Sequence, residues 1–112
     1  MAQALFDILR TIPFASITDA YLPAGGPLLH TLRCIKFTNE TNGDIVVSTD
    51  GVNDMIIMPA ESFTVYDLST NAPPIDTVDN LILARETQFY IKWLSEPSEG
   101  SFYIEGFYAK GE

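Results

Sequence analysis

The sequence predicts an all-β fold. Two antiparallel sheets pack into a jelly-roll-like β-sandwich, preceded by a short N-terminal helix or arm. Three observations carry that prediction. Short segments rich in β-branched and aromatic residues recur along the chain, and turn-forming clusters separate them. At 112 residues the chain holds one domain, divided here into residues 1–13 as the arm or helix and 14–112 as the sandwich. The immunoglobulin alternative needs a cysteine pair around a core Trp, and Cys34 is the single cysteine.

The elements follow in order. Leu5, Ile8, Leu9 and Ile12 fall at helical spacing, and Pro13 forbids continuation of a helix. Such a stripe needs a partner surface, because ten residues are too few for an isolated helix. The surface is either the domain's own core or a neighbouring subunit, and periodicity does not choose between them. Thr31–Thr38 (TLRCIKFT) reads as a strand with Arg33, Ile35 and Phe37 on one face. Asn42-Gly43 then signals a hairpin turn, with Asp44–Thr49 as the return strand. The loop Asp50–Asp54 leads to the apolar run Met55–Met58, which Pro59-Ala60-Glu61 ends. Ser62–Tyr66 alternates Phe63 and Val65 against Thr64 and Tyr66. Leu68–Asn80 has the composition of a surface connection, and Leu81–Ala84 that of a short buried strand. Gln88–Leu94 alternates Phe89, Ile91 and Trp93 against Gln88, Tyr90 and Lys92, and Ser101–Ala109 is the final strand.

Composition narrows the function classes. Fifteen acidic residues against six basic ones give a net charge of -9. That argues against nucleic acid and against an anionic membrane surface, since both require clustered Lys and Arg. No apolar run is long enough to span a bilayer, and residues 1–12 lack the basic start and apolar stretch of a secretory signal. A single histidine, His30, leaves little from which to build a catalytic triad or a His-rich metal site.

The richest polar cluster is Asp44, Asp50, Asn53 and Asp54 around Gly51. Calcium takes hard oxygen ligands from loops of this composition. The spacing does not match a twelve-residue EF-hand loop, however, and Asp, Asn and Gly also form turns for local reasons. No cofactor is implied. Cys34 lies in an apolar strand, where an inert thiol is expected. Aromatic residues occupy alternating positions of both faces in Phe89–Trp93 and Phe102–Tyr108. One face fills a core and the other meets a partner, a covering segment or water. Two-sided apolar strands in an acidic chain point to subunit contacts more than to a ligand cleft, with Tyr90, Trp93, Tyr103 and Phe107 as candidates beside Leu5, Ile8, Leu9 and Ile12.

The run Phe14-Ala15-Ser16-Ile17, Tyr21, Gly26-Pro27 and Leu32-Arg33-x-Ile35-Lys36-x-x-Asn39 resembles small virion structural proteins of tailed bacteriophages. The likeness continues through Val47–Asp54, Pro59-Ala60-x-Ser62-Phe63, Asp67–Asn71, Tyr90-Ile91-Lys92, Gly100–Tyr103 and Tyr108. The resemblance implies a non-enzymatic building block of the virion, assembled in the host cytoplasm. It would form a homo-oligomer and dock on capsid, neck or tail proteins. The alternative from another class is a carbohydrate-binding sandwich for host adhesion that stacks sugars on Tyr90, Trp93 and Tyr103. If the acidic charge limits self-association by repulsion, added salt is expected to strengthen it.

Overall fold

Apolar residues at every second position of a strand coat one side of a sheet, and two such sides close on each other to form a core. The computed structural model describes residues 4–67 and 84–109. Its strands are β1 (Ala4–Phe6), β2 (Arg10–Pro13), β3 (Leu22–Pro23), β4 (Cys34–Asn39), β5 (Ile45–Ser48), β6 (Ile56–Met58), β7 (Ser62–Asp67), β8 (Tyr90–Trp93) and β9 (Ser101–Ala109). One sheet has the order β1/β2–β9–β4–β7, and the other β3–β8–β5–β6. All pairs are antiparallel.

That order has a simple origin. With β1 and β2 taken as one interrupted strand, the first strand pairs the last, β3 pairs β8, β4 pairs β7 and β5 pairs β6. The chain is thus one long antiparallel ribbon, folded at its middle and rolled so that alternate pairs fall in opposite sheets. This is the jelly-roll arrangement the sequence predicts. Ile12, Ile35, Phe37, Phe102 and Ile104 enter the core from the first sheet, and Ile45, Val47, Met58 and Ile91 from the second. Phe89, Leu28 and Leu32 fill in between them. The Phe37 ring meets Phe89 edge-on at 5.3 Å, joining the segment before β8 to the first sheet. Each such burial is worth roughly 1.5–3 kcal/mol.

Two expectations are corrected. No N-terminal helix is seen among the described residues; β1 and β2 run along β9 instead. Phe6 stands opposite Phe107 and Arg10 opposite Ile104, so residues 7–9 face only residues 105 and 106. One extra residue in an edge strand is a β-bulge. It also explains the misleading periodicity. Leu5, opposite core-packed Tyr108, and buried Ile12 lie seven residues apart. A regular strand would put them on opposite faces, whereas two helical turns would align them. The bulge aligns them within a strand.

The second correction concerns Asn42-Gly43. β5 does not return beside β4 but crosses to the other sheet, between β6 and β8. An arch therefore replaces the hairpin. Gly43 is not in the left-handed region; it is needed for close approach, because a Cβ there would lie 2.2 Å from the Ser95 carbonyl oxygen. Arg33, expected to share a strand face with Ile35 and Phe37, precedes β4 and is half-buried. The connection Leu68–Asn80 lies outside the described residues, as does Leu81–Ala84 except for exposed Ala84.

Candidate functional site

Register decides which side chains cover the outside of the first sheet. Phe37 of β4 points inward opposite Ile104 and Thr64, so their neighbours point outward. The outward rows are Phe6, Phe107, Cys34 and Asp67; Glu105, Lys36 and Val65; and Thr11, Tyr103, Thr38 and Phe63. Phe6 is 79% exposed, Phe63 65% and Val65 49%. Tyr103 and Phe107 are half-buried among them. The Phe6 and Phe107 rings meet edge-on at 6.0 Å. Lys36 crosses the middle of the face, with Nζ 4.0 Å from Glu105 Oε1 and 5.1 Å from the Phe63 ring centre. Aromatic side chains thus cluster on one outward face.

The bulge beside this face is fixed from beneath by two buried charged residues. Arg10 donates from Nε to Gly26 O at 2.9 Å, from Nη1 to Ile8 O at 2.8 Å and from Nη2 to Pro27 O at 2.8 Å. The Asp7 carboxylate accepts the Ile8 N–H at 2.7 Å and the Leu29 N–H at 3.3 Å. His30 stacks on Tyr108 at 3.7 Å between ring centres and brings Nδ1 within 3.8 Å of the same carboxylate. With its backbone tied down in this way, the bulge presents Ile8 and Leu9 to solvent, 63% and 53% exposed.

The acidic loop is organised differently. Asp50 Oδ1 accepts the N–H groups of Val52 and Asn53 and the Ser48 hydroxyl, all at 2.8 Å, while Oδ2 accepts Asn53 Nδ2. These bonds, led by the Asn53 N–H, hold its carboxyl far below the usual carboxylate range. Asp54 accepts the Tyr21 hydroxyl and lies 3.4 Å from Lys92 Nζ, which sits 4.7 Å over the Tyr21 ring. Burial and then the bond to Asp54 push the Tyr21 phenol up, and the Tyr21 bond lowers Asp54. Asp44 is bonded elsewhere, accepting the Ala60 N–H at 3.0 Å. The four residues named as a calcium candidate are therefore engaged in separate turn and pairing contacts. Among the described residues, no group of three or more His, Cys, Asp or Glu side chains is placed to hold a metal.

Asp50 carries a pH dependence. Its folded-state pKa is depressed, so its stabilisation is complete above the unfolded value, about 3.9, and fades as pH falls toward the folded value. An Asp50→Ala variant is expected to melt below the parent at neutral pH. The gap should narrow as both are titrated below about pH 4. Melting curves followed by circular dichroism at a series of pH values check this, and a gap constant to the acid limit would contradict it.

The other residues singled out from sequence are dispersed. Ile12 is in the core and Leu5 is half-buried, while Ile8 and Leu9 are exposed on the bulge. Tyr103 and Phe107 share the outer face. Trp93 packs inward against the core, while Tyr90, three residues earlier in β8, turns the other way with its ring 3.4 Å from the position of a Cβ at Gly51. Tyr90, Trp93 and Tyr103 therefore do not form one stacking platform. Phe6, Lys36, Phe63 and Val65 were not singled out. The alternation of Phe63 and Val65 was visible, but not that their side of β7 faces away from the core. Burial, and secondarily the charge of Asp67, raises the Cys34 thiol, keeping it protonated and unreactive. No protein-family model, curated protein or solved structure matches the chain.

Proposed function

We propose that the protein is a non-enzymatic structural subunit of a tailed-bacteriophage virion, acting by burying the outer face of its first sheet against neighbouring subunits. The observation that carries the mode of action is that face: Phe6, Phe63 and Val65 stand exposed around Tyr103 and Phe107 on a rigid sheet. A jelly roll suits the role, because its paired strands leave few edges open and place large flat faces outward. The bacteriophage assignment rests on the resemblance along Phe14–Tyr108. Its expected partners are copies of itself and capsid, neck or tail proteins, and its expected place is the virion, assembled in the host cytoplasm.

Purified particles of the phage that encodes the chain provide the test. Antibody raised against the chain should label them at a defined location in electron micrographs, and the chain should co-sediment with them. A Phe63→Asp substitution, on an exposed side chain, is expected to leave the fold intact and reduce particle occupancy about tenfold. Particles without label or co-sedimenting chain would refute the proposal.

A further inference from the structure

We infer that the bulge and the groove beside it form a self-complementary docking site for a second copy of this chain, around a two-fold axis. The inference rests on the structural-subunit reading and names one of its partners. The groove holds about 130 Å³ and is lined by Phe6, Cys34, Lys36, Glu105, Gly106 and Phe107. Phe6 and Phe107 form its apolar walls. A second hollow, lined by Phe6, Asp7, Leu9, Glu105 and Gly106, continues from it to the bulge. Projection and receptacle are thus adjacent on one patch. A two-fold axis between two such patches sets each copy's Ile8-Leu9 against the other's groove, so one surface serves both partners.

Charge selects a second copy as the occupant. The molecule carries a net charge of -9, so most of its surface repels its own kind. This groove is balanced, with one cation and one anion, Lys36 and Glu105, 4.0 Å apart and each about half exposed. Across a two-fold axis, Lys36 of one copy meets Glu105 of the other, and the reverse. The opposite end of the face differs. There a wider hollow of about 420 Å³ is lined by Thr38, Asn39, Glu40, Glu61, Ser62 and Phe63, with two carboxylates and no cation. Two copies would repel there, which leaves that end to a different partner. The tied-down backbone of the bulge lowers the entropy lost when Ile8 and Leu9 are buried.

The test is sedimentation velocity of the full chain over a wide concentration range, with circular dichroism confirming the fold of each variant. The parent is expected to be a concentration-dependent dimer. Leu9→Asp and Phe6→Asp, both at exposed positions, are each expected to weaken it at least about tenfold, and Ile57→Asp, exposed on β6 of the second sheet, to leave it unchanged. Glu105→Lys and Lys36→Glu should each weaken the dimer, and the double swap should restore it. A parent that stays monomeric, or a dimer that Leu9→Asp and Phe6→Asp leave intact, would overturn the inference. So would a dimer lost with Ile57→Asp but not with Phe6→Asp. Particle labelling is read separately: a labelled virion with a monomeric chain removes this dimer and leaves the structural role, while a dimer absent from virions does the reverse.

Discussion

Removal of residues 1–12 is expected to unfold the domain rather than free it from an arm. β1 and β2 cover the edge of β9, the strand that also pairs β4 at the centre of the sheet. Cutting them away leaves the N–H and C=O groups of Ser101–Ala109 without their ladder on that side. Ile12 leaves the core, with a loss of roughly 1.5–3 kcal/mol. The Arg10 guanidinium goes too, leaving Gly26 O and Pro27 O without their donors, at about 1–3 kcal/mol for each group that water does not reach. Together with the broken ladder, these losses reach the lower part of the stability of an ordinary small domain, about 5–15 kcal/mol. A docking arm, one of the two roles the apolar stripe allows, would instead leave the truncated chain folded and monomeric. Far-ultraviolet circular dichroism with thermal melting separates the two. A truncated chain with a cooperative transition within a few degrees of the parent would show that the edge strands are dispensable.

Fold class was legible because its signals are local. Gln88–Leu94 alternates cleanly, and Phe89, Ile91 and Trp93 do face the core. Ser101–Ala109 is a strand over the expected range. What stayed hidden depended on pairing between distant segments. An Asn-Gly dipeptide reads the same in a hairpin and in an arch; here the choice depends on how closely Gly43 approaches Ser95, fifty-two residues away. Leu5, Ile8, Leu9 and Ile12 fit two helical turns and also fit a strand with one extra residue, and only the partner β9 distinguishes them. The candidate site was half legible for the same reason. Tyr103 and Phe107 were found from a strand that is apolar on two sides. Phe6 and Phe63 reach the same face only through their register with β9 and β4. Sequence alone also gave no sign that Asp7 and Arg10 are buried, since their partners are backbone carbonyls and N–H groups of segments up to 22 residues away.

An Asn39→Ala substitution is expected to destabilise the fold by about 3–5 kcal/mol, more than any single change on the outer face. Asn39 ends β4 at the arch and is wholly buried. Its Nδ2 lies 3.0 Å from each of Gly43 O, Met58 O and Pro59 O and shares its two N–H groups among them. Its Oδ1 accepts the Thr41 N–H at 3.0 Å and the Thr41 hydroxyl at 2.6 Å. One amide thus satisfies backbone groups from the arch and from the end of β6, tying the two sheets where the ribbon rolls over. Alanine leaves those groups without it in a place poor in water, and each costs about 1–3 kcal/mol if unpaired. The Thr41 hydroxyl, 3.0 Å from Gly43 O, can turn its single proton there once Oδ1 is gone and recovers part of that. Asn42 is a suitable control at the same arch, because its bonds with Ser98 are exposed and its replacement by Ala should cost under about 1 kcal/mol. Asn39→Asp adds a second readout. Its carboxylate would face three carbonyl oxygens in a buried site, which raises its folded-state pKa above the unfolded value of about 3.9. The variant's deficit relative to the parent should therefore be largest at neutral pH and shrink as pH falls toward about 4. Urea unfolding at several pH values measures both effects. An Asn39→Ala deficit no larger than that of Asn42→Ala, or an Asn39→Asp deficit that ignores pH, would mean the arch does not depend on this amide.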